Sequence, residues 1–187
     1  GKIEIIKTGL EKDCKYENFR RNNHSREEYL KALNECVKKS LKPSLVHVNS
    51  FQDLPSEQEK ESLNLNDLIS SEKLRALQRT YRKGELISEF KSGNREVLFS
   101  TRASRGMDFP GEQCNSIIFT KYPNPNVKEA FWKILRQTKP HYYWMLYKDK
   151  ARRELLQKIY RGLRSQEDFV QLLSPDSRVL EFMKKLK

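Results

Sequence analysis

The chain has 187 residues, enough for one domain with a real core and at most an appendage. Apolar residues make up 36% and charged residues 33%, a globular balance rather than a disordered composition, with a very polar exterior. Thirty-seven Lys and Arg against 25 Asp and Glu leave a formal charge of +12, compatible with an anionic partner such as nucleic acid or a nucleotide, or simply with a soluble basic surface.

No apolar run approaches the ~20 residues of a membrane helix, and "GKIEIIKTGL" lacks the apolar core and cleavage site of a signal peptide. The expectation is an intracellular protein, cytoplasmic or nuclear, with no membrane partner. Cys14, Cys36 and Cys114 are scattered without a C-x-x-C, and His24, His47 and His141 lack ligand spacing. All three cysteines are expected as reduced thiols, and no metal site is expected.

"IEIIK" (3–7) reads as a short strand, followed by a long polar connection. Ser25 opens "SREEYLKALNECVKKS", where Ser25 and Glu28 form a capping-box pattern and Tyr29, Leu30, Leu33 and Val37 repeat at helical spacing. A helix over 26–39 follows. "SLVHVNS" (44–50) reads as a buried strand, and the segment "FQDLPSEQEKESLNLNDL" after it as an exposed loop with a helical start. Leu74, Leu77, Tyr81, Leu86, Ile87 and Phe90 suggest two helical pieces over 71–91, divided near Gly84 and ended by Gly93.

"EVLFST" (96–101) is a further strand, "RASRGMDFPGEQ" a loop, and "NSIIFTKYP" (115–123) a buried strand. An aromatic stretch at 131–147 leads into a helix over about 149–164, with Leu156, Ile159 and Leu163 on its apolar face. In that stretch, packing favours burial of Trp132, Tyr142 and Trp144 over a strand-separating or stacking surface. "FVQLLS" (169–174) gives a last strand, and "SRVLEFMKKL" a terminal helix with Leu180 and Met183 inward. Alternating strands and helices predict an α/β fold with a mainly parallel sheet flanked by helices on both faces, its ligands gathered beyond the strands' carboxyl ends. Ser50, Phe51 and the 101–111 loop then share one rim.

Gln157, Arg161 and Arg164, spaced by four and three residues, fall on one helical stripe. Paired guanidinium groups suit phosphate oxygens, although spacing alone favours a solvated basic face. In "FSTRASRGMDFPG" (99–111), Ser100 and Thr101 leave a strand end, Gly106 permits close backbone approach, and Asp108 is placed to orient an arginine or accept from a ribose hydroxyl. An ordinary loop after a strand fits equally well. There is no G-x-x-x-x-G-K-[ST] and no Asp-Glu pair after a strand, so any phosphate cradle and magnesium site belong to another domain.

"SLVHVNSFQDL", "ELISEFKSGNREVLFSTRASRGMDFPGEQCNSIIFTKYPNP" and "LLQKIYRGLRSQEDF" together resemble motifs IV, V and VI of superfamily 2 helicases, at about 44–54, 97–111 and 157–164. The stretch "KYPNPN", with a helical and aromatic insertion at about 126–148, looks most like the XPD and DinG branch. That resemblance implies a single second RecA-like domain over 1–187, of monomeric form. Its partners would be the amino-terminal RecA-like domain of the same protein, which holds ATP and Mg2+, and single-stranded DNA.

By the same resemblance Arg161 and Arg164 match the arginine fingers, Gln157 the leading glutamine of motif VI, and Gly106 with Asp108 the G-x-D of motif V. Ser50, Phe51, Ser100 and Thr101 match nucleic-acid contacts. Arg102, Arg105 and Lys121 are assigned to phosphate on charge alone. The motif's glycine before its first arginine is Tyr160 here, a departure that bears on helix packing. The implied activity is that of an ATP-dependent DNA helicase, with the isolated chain inactive. An ATP-independent nucleic-acid or protein binding module built from such a domain is the alternative.

Overall fold

The computed structural model describes residues 1–82, 84–101, 109, 111–163 and 165–186. Five strands, β1 (Lys2–Ile5), β2 (Ser44–His47), β3 (Val97–Ser100), β4 (Ser116–Phe119) and β5 (Phe169–Leu173), form one sheet in the order β1-β5-β4-β2-β3. Every neighbouring pair is parallel. Among the described residues the helices are α1 (Tyr16–Arg20), α2 (Arg26–Lys39), α3 (Glu57–Ser62), α4 (Ser71–Thr80), α5 (Glu85–Lys91), α6 (Ala130–Thr138), α7 (Pro140–Tyr160) and α8 (Ser177–Leu186).

Parallel strands need cover on both faces, and the central β2 and β4 are buried at every position. Their alternation divides the core. Leu45, Ile117, Phe119, Val170 and Leu172 pack with side chains of α5, α7 and α8. Val46, Val48, Ile118 and Leu173 pack on the other face with α2 and Leu74 of α4.

Local chemistry explains the elements read from sequence. The Ser25 hydroxyl accepts the Glu28 N–H at 3.1 Å and starts α2. Glu28 does not return the bond, because its carboxylate pairs with Lys12 at 2.8 Å, so the capping pattern is used on one side. Gly84 at φ 102° separates α4 from α5, and Gly93 at φ 82° follows the end of α5. Both sit in the left-handed region that a side chain resists.

Three expectations need correction. The segment after β2 is not an exposed loop: Leu54, Leu65 and Leu68 are buried in the core under α2. Arg26 pins it there, donating to the carbonyls of Gln52 at 2.6 Å and Leu54 at 2.9 Å while pairing with Glu59 at 2.8 Å. The long helix does not begin near 149 but at Pro140, a residue whose missing N–H costs nothing in a first turn, and it stops at Tyr160 rather than 164. Its core-facing side chains are Ala151, Leu155 and Ile159, whereas Leu156 and Leu163 are only partly buried.

Cys14, Cys36 and Cys114 are free, as read from sequence, and all three are buried. Burial pushes the Cys14 and Cys114 thiols up to about 12 and raises Cys36 as well. Among the described residues no helix is long and apolar enough to cross a membrane.

Leu155→Ala should cost about 2–5 kcal/mol, and Leu156→Ala clearly less. Urea denaturation of both variants checks which leucine seats α7; equal losses would contradict this packing.

Candidate functional site

Ser50, Thr101 and Lys121 follow the carboxyl ends of β2, β3 and β4, three adjacent strands, and so share one rim. A buried carboxylate builds it. Asp53 accepts the Ser50 N–H at 3.1 Å, the Thr120 hydroxyl at 3.3 Å and the Lys121 ammonium at 3.0 Å. The Tyr29 hydroxyl donates to the Asp53 carbonyl at 2.7 Å. Lys121 also lies over the rings of Phe19 at 5.1 Å and Tyr29 at 4.8 Å. Its charge is spent inside the rim, which makes it a structural cation before it is a phosphate contact.

Ser50 is exposed and its hydroxyl accepts the Gln52 N–H at 3.3 Å, capping a short 3-10 turn that contains Phe51. Thr101 is half-buried and exchanges hydrogen bonds with Gln78 of α4, 3.0 Å and 3.3 Å long. Ser100 closes β3. Arg102, Arg105, Gly106 and Asp108 lie outside the described residues, as does Arg164.

α4 adds two residues that sequence reasoning missed. Besides Gln78, Arg75 lays its guanidinium over Phe51 at 4.3 Å. Arg26 is tied to Glu59, Arg95 to Glu89 and Arg178 to Asp176, whereas Arg75 is exposed and has no acidic partner among the described residues. Stacking fixes the guanidinium plane and leaves its N–H edge for an anion. Nothing in the spacing of α4 could reveal this, because Phe51 and Thr101 lie more than twenty residues away on either side.

Gln157 and Arg161 sit together on another surface. One face of α7 runs from Leu146 through Lys150, Arg153 and Gln157 to Arg161, roughly 22 Å of helix, and with Phe131 of α6 it lines a groove of about 930 Å³. Arg153 pairs with Asp149 and Lys158 with Glu154, both at 2.8 Å. Arg161 caps α7 in helical geometry and is half-buried, which lowers its pKa without threatening its charge. Its carbonyl accepts the Phe109 N–H at 3.2 Å. Phe109 is buried edge-on against Phe90 at 5.4 Å. The chain that leaves the rim at Thr101 therefore returns to the core beside Arg161.

Tyr160 is 53% exposed, so about half of it faces away from the protein. The close approach falls two residues later, where a Cβ on Gly162 would stand 3.2 Å from Ile117 Cδ1 and 3.5 Å from Val170 Cγ2. The glycine expected before the arginine is supplied after it.

His47, at the end of β2, is 2% exposed and stacks on Phe119 at 5.0 Å, and neither ring nitrogen has a hydrogen-bond partner. Burial, then the nearby charges of Lys158 and Arg161, hold its pKa well below the ordinary histidine value. Among the described residues no three His, Cys, Asp or Glu gather closely enough to hold a metal ion.

A model of the helicase C-terminal domain family matches residues 17–186. Among solved structures, one described as an XPD helicase is similar with a TM-score of 0.58 at 17% identity, over 99% of this chain and 33% of that one. Another, described as S. tokodaii Xpd4, gives a TM-score of 0.47 at 19% identity, over 89% of this chain and 33% of its own. The chain spans about a third of the length of these two structures. At such identity the first likeness is one of fold, the RecA-like fold expected from the sequence. None of the curated proteins matches the chain.

The unfolded chain protonates His47 near pH 6.5 while the fold keeps it neutral, so the stability held above that pH falls as pH drops below it. Below about pH 6.5 the slope should rise toward about 1.4 kcal/mol per pH unit, one proton's worth. Chemical denaturation across that range should show the slope reduced by about that amount in His47→Gln; an unchanged slope would remove His47 as its source.

Proposed function

Because the chain belongs to the helicase C-terminal domain family, we propose that it is the second motor domain of an ATP-dependent, XPD- and DinG-like DNA helicase or translocase. In this reading Gln157, Arg161 and Arg164 face ATP and Mg2+ held by a preceding RecA-like domain. Ser50, Phe51, Ser100, Thr101 and Arg75 meet the backbone of single-stranded DNA. Arg102 and Arg105 are proposed to contact phosphate as well, and Gly106 with Asp108 to link the two regions.

The observation that carries the reading is the bond from Phe109 N–H to the Arg161 carbonyl. One continuous stretch, from Thr101 to Phe109, starts beside the nucleic-acid rim and ends on the backbone of the arginine.

ATP bound between the two domains would hold them closed, and transfer of its γ-phosphoryl group to water would let them open. The residues of this chain supply charge and position. A guanidinium at the end of α7, held by the buried stripe of that helix, stabilises negative charge without reorganising. Gln157, one turn earlier on the same face, offers both a donor and an acceptor beside it. No described cluster fits the metal, so the magnesium ligands are assigned to the preceding domain. At the rim, the Ser50 and Thr101 hydroxyls and the Arg75 edge can follow a phosphodiester backbone without reading sequence.

Joined to its preceding motor domain, the protein should hydrolyse ATP faster when single-stranded DNA is added, and the isolated chain should not turn over. Arg161→Ala should then lower turnover by roughly 10³ while nucleotide binding persists. Undiminished turnover would overturn the arginine's role, and strand binding with no hydrolysis by the joined protein would favour the ATP-independent module. Arg75→Ala should weaken single-strand binding and flatten the slope of log affinity against log salt by about 0.7, one phosphate's worth. An unchanged slope removes Arg75 from the backbone contact.

A further inference from the structure

The hairpin of α6 and α7 carries side chains that the fold does not use. Its inner residues close on themselves: Trp132, Leu135 and Tyr143 are buried with Tyr147 packed against them. Tyr143 and Tyr147 stack at 6.0 Å, and Trp132 meets them edge-on at 5.9 and 5.5 Å. Outside this small core, Phe131 is 59% exposed, Ile134 58%, Tyr142 56%, Trp144 60% and Met145 58%. Burial was the sequence expectation for Trp132, Tyr142 and Trp144, and only Trp132 follows it.

Two of the exposed rings are held in place. Phe131 stands edge-on to Trp132 at 5.1 Å, and Trp144 stands edge-on to Tyr143 at 5.0 Å and Tyr147 at 5.8 Å. Edge contacts of this kind fix the plane of the outer ring and leave ring surface open. One exposed aromatic is ordinary; a hairpin bearing several together marks a surface that meets something.

Charge identifies what it meets. Between Lys128 and Arg161 the sequence has ten Lys and Arg against three acids. Two of those acids, Asp149 and Glu154, are already paired within α7. Lys133, Lys139 and Lys148 are exposed with no acidic partner among the described residues. A ligand that is polyanionic and also presents flat apolar faces satisfies both features at once. Unpaired bases on a phosphodiester backbone have that chemistry, whereas a duplex hides its base faces.

We propose that the α6–α7 hairpin is a stacking platform for single-stranded nucleic acid, with Trp144 taking a base and Lys148, one turn along the same face of α7, taking a phosphate. The proposal rests on the nucleic-acid reading above and extends it to a surface outside the three motifs. α6 follows the carboxyl end of β4 after ten residues, so one short connection joins the hairpin to the rim.

The two tryptophans make the test direct, because one is 2% exposed and the other 60%. Titrating the chain with an oligothymidylate should quench the emission of Trp144 and shield it from acrylamide. Trp144→Ala should weaken binding roughly ten-fold, while Trp144→Phe keeps most of the affinity and loses the optical signal. Binding that leaves Trp144 open to acrylamide, with Trp144→Ala unaffected, overturns the platform alone, provided Arg75→Ala still weakens binding. No binding of any oligonucleotide overturns the nucleic-acid reading as well. Shielding of Trp144 by the preceding motor domain without nucleic acid would make the hairpin a domain interface and also overturn the proposal.

Discussion

Gly162 lets the chain after α7 lie against the sheet at a distance where a methyl group would crowd the end of Ile117 and touch Val170. With Ala151, Leu155 and Ile159 buried before it, it keeps one face of α7 turned to the sheet. A helix whose inner stripe is packed in this way sets the direction of its outer stripe, and so Gln157 and Arg161 are presented together. Phe109 completes the arrangement, wedged on Phe90 and bonded to the Arg161 carbonyl. Tyr160 in a glycine position is tolerated because the crowding occurs at residue 162.

The rim beyond β2, β3 and β4 is organised by charge. Asp53 is buried, and an unpaired carboxylate there would carry a desolvation penalty of several kcal/mol. Lys121 and the donors from Ser50 and Thr120 offset it, and in doing so they tie the turn after β2 to the end of β4. The cation that sequence assigned to phosphate is thus consumed in holding the rim together. Among the described residues of the rim, Arg75 keeps its charge for an anion, and it comes from a helix that joins neither strand end directly.

Much of the fold was legible because its signals are local. The Ser25 cap, the 3.6-residue repeat of Leu30, Leu33 and Val37, and the two glycines bracketing α5 each report backbone geometry within one or two turns. Isolated leucines carry no period, so Leu54, Leu65 and Leu68 in a polar stretch read as loop until Arg26 was seen to fasten that stretch down. The first half of α7 was hidden for a related reason: nearly every position from Tyr142 to Tyr147 is apolar, and a run without contrast shows no face. Of the site, Gln157 and Arg161 were visible through their motif and are adjacent in space. Gln78 and Arg75 depend on long-range packing that no short window contains.

The placement of the cysteines has a practical consequence. At neutral pH, thiols held near 12 or above contain almost no thiolate, and all three are enclosed. A thiol-reactive dye should therefore ignore the native chain and label it only as fast as it opens. Cys36 and Cys14 lie in the core layer under α2, and Cys114 in the layer shared with α7. The domain carries its own reporters of opening, one set on each side of the sheet, so the order in which the two layers come apart can be followed without adding a probe.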